Sequence, residues 1–305
     1  MIDYILILAA VMCCAMQFAS MKIYQSNVRQ TTVTAITLLI VSNLAAMLVY
    51  LVVGGFSVHF SWFSFFWICV KAIVTIPYFV LGVKSLSLGS LAIYSMFMML
   101  GGMILPFLYG VIFLDEELSL WKIVGVILLT GFIVLQATSQ GKDGQEKKVD
   151  GKQNTYFFFI ICLLIFLLNG ATSIISKAHQ VGKNAVDEIS FTVMSSFLTV
   201  ALSALILGGL LCKRDRMEKL GQIKSAFSWK PFLGMIAVGV ISCTGNFLLL
   251  KAASNVPASI QFPLVSGGVI VLSAIVSVCI FKEKLSKKEW ISIAGAFLST
   301  FLFAM

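Results

Sequence analysis

Charge is what this sequence has least of. Only 11% of its 305 residues are charged, where a soluble domain carries about 25%. Acids are scarcer than bases, 13 against 22. Every acid, from Asp3 to Glu289, sits between apolar runs or at their ends. That pattern excludes a carboxylate proton relay at mid-bilayer depth. The seven cysteines form no CxxC and no Cys/His cluster, which argues against a metal site and a structural disulfide. The two histidines, His59 and His179, read as connector residues with no Ser/Asp or Cys arrangement beside them, so no catalytic residue is expected. No phosphate-binding loop occurs, which excludes direct ATP drive within this chain. Neither a cofactor nor a nucleic-acid partner is expected. The net charge of +9 has no soluble basic domain to carry it and reads as loop charge facing an anionic leaflet.

What the chain does have is apolar length. Hydrophobic residues make up 59% of it, with 25 Phe, 13 Met and a mean hydropathy of +1.01. A membrane-crossing helix needs about 20 mostly apolar residues. Ten runs meet that need: about 4–22, 32–53, 63–83, 89–113, 119–138, 155–176, 189–211, 231–250, 257–281 and 287–304. The first lacks the basic start and small-residue cleavage site of a signal peptide and reads as a span. A polar, Gly-containing linker at 139–154 separates residues 1–138 from 155–305, five runs on each side. The 212–230 connector is basic.

The halves repeat. Placing Ser61-Trp62 over Ser228-Trp229 aligns the rest of both halves without a gap, so that Lys84 meets Lys251, Gly101 meets Gly268 and Glu116 meets Glu283. Earlier runs need an offset of 155, which sets Lys22 on Lys177 and Gln25 on Gln180. Five spans per copy is an odd number, so the second copy must enter the bilayer from the opposite side. Matching connectors then lie on opposite faces and should differ in charge. They do: Asp115-Glu116-Glu117 in one copy becomes Lys282-Glu283-Lys284 in the other. The fold class expected is all-α and integral to the membrane, with ten helices as two inverted five-helix repeats. Of the 22 Lys and Arg, 17 fall on the odd-to-even connectors, four (Lys122, Lys177, Lys183 and Lys251) on the other face and one, Lys71, inside a span. The bias puts both termini outside the cytoplasm.

The stretch from Leu81 to Leu135 and its copy from Leu248 to Leu302 resemble the drug/metabolite transporter superfamily, and in particular its ten-span EamA-like members. A Glu-x-Leu connector between the fourth and fifth spans of each repeat carries the likeness, here Glu116-Glu117-Leu118 and Glu283-Lys284-Leu285. The resemblance covers essentially the whole chain, and its motifs are structural. It implies a cavity lined mostly by spans 3, 4, 8 and 9. The first half also looks like the four-span small multidrug resistance proteins, whose first span holds an essential carboxylate. This chain departs from them there, with Gln17 as the polar interior residue of that span.

Polar groups at bilayer depth usually face a protein interior or a water-filled cavity. Lys71 lies about 13 Å beyond Trp62 along its helix, near the midplane, with no acidic partner evident in the spans. It shares a helical face with Thr75, Tyr78 and Gly82. One reading makes it a cationic anchor for a substrate carboxylate or phosphate; the other bonds it to protein. Gln17, Asn169 and Thr172, Asn246, and Tyr94 with its repeat mate Gln261 complete the candidate substrate-binding set. Interhelical hydrogen bonding, worth about 0.6–2 kcal/mol per contact, is the competing reading for each. Gly125, Gly131 and Gly295 read as close-packing positions. Lys22, Lys84, Lys177 and Lys251 read as interfacial anchors.

These readings predict a plasma-membrane, multi-pass transporter, secondary active or facilitative, moving a small polar metabolite by alternating access. Lys71 favours an anionic group, as in amino or organic acids, and family habit implies export. Its partners would be the substrate and bilayer lipid, with the oligomeric state left open. The competing function is a non-transporting lipid-handling or regulatory membrane subunit, with a collapsed apolar interior.

Overall fold

The computed structural model describes residues 2–113, 119–139, 153–212, 215–253, 256 and 258–302. They form α1 (Ile2–Asn27), α2 (Thr32–Val53), α3 (Trp62–Leu88), α4 (Leu91–Phe113), α5 (Leu120–Ser139), α6 (Gln153–Gln180), α7 (Glu188–Leu211), α8 (Arg216–Ala226), α9 (Trp229–Ala253), α10 (Ala258–Cys279) and α11 (Lys287–Phe301). There is no strand among the described residues. Each of the ten expected apolar runs is a helix, and α8 adds an eleventh within the basic connector. Seven helices, α1–α4, α6, α7 and α9, are long and apolar enough to cross a membrane. The described apolar stretches of α5 and α10 are shorter, Leu120–Phe132 and Leu264–Cys279. The connector at 114–118 and most of the 139–154 linker lie outside the described residues.

Local chemistry sets several helix starts. Thr31 and Thr34 form a reciprocal capping box at α2, and Ser286 and Glu289 form another at α11. The second is the S-x-x-E pattern, which satisfies two amide donors that a helix start leaves orphaned. Asp187 caps α7 by accepting from the Ser190 amide at 2.9 Å.

Packing runs mainly between the two halves. α1 lies on α9 and α10, while α6 lies on α3 and α4; α2 pairs with α7, α4 with α10, and α5 with α11. The main core gathers Phe18, Tyr24, Leu38, Tyr94, Met235 and Val269. Ile5, Leu8, Met12 and Met16 form an exposed apolar strip on the other side of α1, which suits lipid contact. Helix association in lipid relies on close packing at small residues. Gly268 abuts Val11 of α1, and a Cβ on Gly295 would overlap the ring of Phe132 on α5. A Cβ on Gly131 would meet nothing within 4 Å, so Gly131 is not the close-packing residue expected from sequence.

Connector contacts sort into two ends of the molecule. At one, Arg29 pairs with Glu218 of α8, Thr31 donates to Gln222 at 2.8 Å, and Lys22 pairs with Glu283, which also accepts from Ser90 at 2.8 Å. At the other, His59 bonds Asp187 at 3.0 Å and Ser61 donates to the Asn184 carbonyl at 2.8 Å. Lys22 is therefore a largely buried ion-pair partner, 12% exposed, rather than the interfacial anchor expected.

Candidate functional site

The face of α3 that carries Lys71, Thr75, Tyr78 and Gly82 divides between two environments. Thr75 donates its hydroxyl back to the Lys71 carbonyl at 2.7 Å, as mid-helix threonines do. The Lys71 ammonium sits 4.7 Å from the ring centroid of Phe191, a cation–π contact worth about 0.5–2 kcal/mol. Phe191 is the fourth residue of α7, about 5 Å from that helix start. The ammonium thus leans toward the α6–α7 end, not the midplane position that its place in the sequence suggested. Lys71 is enclosed by the bundle and half-buried. Among the described residues it makes no ion pair within 4 Å, but Glu188 attracts it from a greater distance. Glu188 itself accepts from Gln180. The acid that no span offered lies on the first turn of α7, a tertiary neighbour from the other half of the chain.

The same end overturns the reading of the histidines. His179 belongs to the last turn of α6 and is 1% exposed. Its ring stacks on Phe191 at 4.0 Å and bonds the Ser64 hydroxyl at 2.9 Å through Nε2. Ser64, fully buried, also accepts from the Val186 amide at 3.0 Å. A serine and a histidine sealed in this way have no access to a substrate and act as a joint between α3 and α6. His59 bonds Asp187 on the exposed rim, and Asp187 also accepts from the Ser190 hydroxyl at 2.7 Å. Burial pushes the Asp187 carboxyl up, but the bonds from Ser190 and His59 outweigh it and hold the pKa below its ordinary value.

Toward the other end, Tyr78 and Tyr94 approach each other. Gly82 leaves room for the Tyr94 phenol: a Cβ there would be 3.1 Å from its oxygen and 3.2 Å from Met21 Cε. Phe18 meets the Tyr94 ring edge-on, with centroids 5.6 Å apart. Tyr94 is 2% exposed and is a packing residue here, whereas Tyr78 is only half-buried within the bundle.

On α6, Asn169 donates to the Met98 carbonyl of α4 at 2.6 Å, and Thr172 donates to the Asn169 carbonyl at 2.7 Å. Both are committed to helix joining and helix back-bonding. Asn246 turns to α2, beside the Tyr50 hydroxyl. Gln17 is half-buried and makes no hydrogen bond among the described residues. The Gln261 side chain lies outside the described ones. The structure thus brings together Lys71 with Thr75, Tyr78 with Tyr94, and Asn169 with Thr172. Glu188 and Phe191 are the neighbours of Lys71 that sequence reasoning did not connect to it.

Residues 158–305 match the EamA-like transporter family. One protein known by its crystal structure superposes with a TM-score of 0.59, covering 98% of this chain and 95% of its own, at 16% identity. At that identity the likeness speaks for the fold alone. No curated protein matches the chain by sequence.

Proposed function

The chain is an EamA-like membrane transporter of the drug/metabolite superfamily, and from that premise we propose that it moves a small metabolite bearing a carboxylate, by alternating access. The observation that carries this reading is the state of Lys71. Lys71 is half-buried inside the bundle, and its ammonium rests on an aromatic ring with no ion-pair partner within 4 Å among the described residues. A cation so placed can receive a carboxylate without first breaking a salt bridge. Glu188 nearby supplies the opposite charge, which suits the ammonium of an amino acid; organic acids need Lys71 alone. Tyr78 and Gln17 would complete the contact surface, with Thr75, Tyr94, Asn169, Thr172, Asn246 and Gln261 shaping it from behind.

The ten-span inverted repeat is part of the proposal. The exchange of helix partners between the halves supports it: α1 on α9 and α10 corresponds to α6 on α3 and α4. So does the length of α4, whose first residue bonds Glu283 and whose 23 residues carry it about 34 Å away. The connectors gathered with Glu283 are those rich in Lys and Arg, so that end would be cytoplasmic and both termini would face outward, across the plasma membrane. Export is the proposed direction, driven or facilitated by gradients. The partners are the substrate and bilayer lipid.

The test is uptake of a panel of labelled amino and organic acids into proteoliposomes. Lys71→Ala should lower carboxylate uptake at least about tenfold, the loss expected for one charge-assisted contact, with thermal stability retained. Unchanged uptake would remove Lys71 from the path.

A further inference from the structure

Glu283 draws partners from three helices to one carboxylate. It ion-pairs with Lys22 of α1 and accepts from the Ser277 hydroxyl of α10. At the start of α4 it accepts from the Ser90 hydroxyl at 2.8 Å and the Leu91 amide at 3.1 Å. Lys22 also lies 5.1 Å from the Phe281 ring. The turn that delivers Glu283 is unusual. Lys282 has φ 51°, a left-handed conformation that non-glycine residues rarely adopt, and the Glu283 amide donates back to the Ser277 carbonyl at 3.1 Å. Such local strain persists where the surroundings over-determine it.

The Lys22 and Glu283 side chains are only 12% and 14% exposed. A buried ion pair adds little net stability, because desolvation offsets most of the Coulomb attraction. Trading the bonded state for one with both charges hydrated would therefore carry a small net cost. That property suits a contact made in one conformation and released in another. The contact joins first-half α1 and α4 to the second-half α10–α11 turn, across the packing boundary between the halves. Gln17, five residues earlier on α1 and about 7.5 Å further into the bundle along its axis, is half-buried and makes no hydrogen bond among the described residues.

We propose that Lys22 and Glu283 form the latch that closes the transport path at the α1–α2 end of the molecule. Engaged, it holds α1 and α4 against α10. Released, it lets them part and opens the interior to that face. The latch rests on the alternating-access reading above.

The experiment uses a full-length protein with its cysteines replaced, one reporter cysteine at Gln17→Cys, and a membrane-impermeant maleimide added to right-side-out or inverted vesicles. A control cysteine at exposed Ser26 identifies the α1–α2 face. With Lys22 intact the reporter should label slowly from that face. Lys22→Gln should speed labelling there about tenfold through a shift toward the open state, and Lys22→Arg should keep it slow. Glu283→Gln, which retains an acceptor for Leu91 but loses the charge, should open the same face and serves if the Lys22 variant does not fold. Slow labelling in both charge-removing variants, with the reporter still reachable from the opposite face, would overturn the latch and leave the transporter reading standing. A reporter unreachable from either face in every variant would overturn both.

Discussion

Gly101 of α4 rests against the Phe166 backbone of α6 so closely that a Cβ would overlap the Phe166 carbonyl. Gly268 of α10 meets Val11 of α1 in the corresponding place, with a Cβ 3.0 Å from Val11 Cγ1. The offsets that align the halves carry Gly101 onto Gly268 and Val11 onto Phe166. One helix crossing thus occurs twice, with the halves exchanging roles.

The two copies should differ in tolerance. Gly101→Ala must move backbone on α6 and should cost about 1–3 kcal/mol. Gly268→Ala meets only the end of a valine side chain and should cost less. Gly131→Ala, whose new methyl meets nothing within 4 Å, should stabilise by up to about 1 kcal/mol through helix propensity. Thermal unfolding in detergent measures all three. Equal losses at Gly101 and Gly131 would contradict the close crossing.

Two members of the candidate site should turn out to hold the scaffold. Asn169→Ala frees the Met98 carbonyl and should destabilise by about 0.6–1.7 kcal/mol, while uptake per folded molecule stays unchanged. Thr75→Val removes a hydroxyl already spent on the Lys71 carbonyl, and uptake should be unchanged. A selective loss of uptake in either variant would return that residue to the substrate path.

Helix positions were legible in the sequence because an apolar run of crossing length has few other uses. Apolar length is silent on an 11-residue helix such as α8, which carries Arg216, Glu218, Lys219 and Lys224 and therefore read as connector. The amides and hydroxyls set within apolar runs were legible as polar groups in helices. What those groups bond was not: Asn169 could reach a substrate or the Met98 carbonyl, and only tertiary packing decides. Lys71 stood out because a cation inside a span is rare, yet its neighbours Phe191 and Glu188 lie well over 100 residues away in the chain. Glu283 was visible as half of a repeated Glu-x-Leu connector. Its bonds to Lys22, Ser90 and Ser277 depend on a turn through left-handed Lys282, which no spacing rule announces.

The Asp187 cap gives the rim at the α6–α7 end a defined pH dependence. Its carboxyl accepts from the Ser190 amide and hydroxyl at 2.9 and 2.7 Å and bonds His59 at 3.0 Å. Those bonds favour the charged form, and the folded pKa falls below the ordinary 3.8. A group with a depressed folded pKa contributes stability that is fully present above its unfolded value and is lost as pH falls through the folded one. The detergent unfolding temperature should therefore hold steady from neutral pH down to about 5 and decline below about 4. Asp187→Asn keeps an acceptor for the helix start but cannot titrate, so its decline should be shallower. Asp187→Ala loses the cap and should cost about 0.5–2 kcal/mol at neutral pH. Identical acid profiles for the wild type and Asp187→Asn would show that the carboxylate is not held as its hydrogen bonds require.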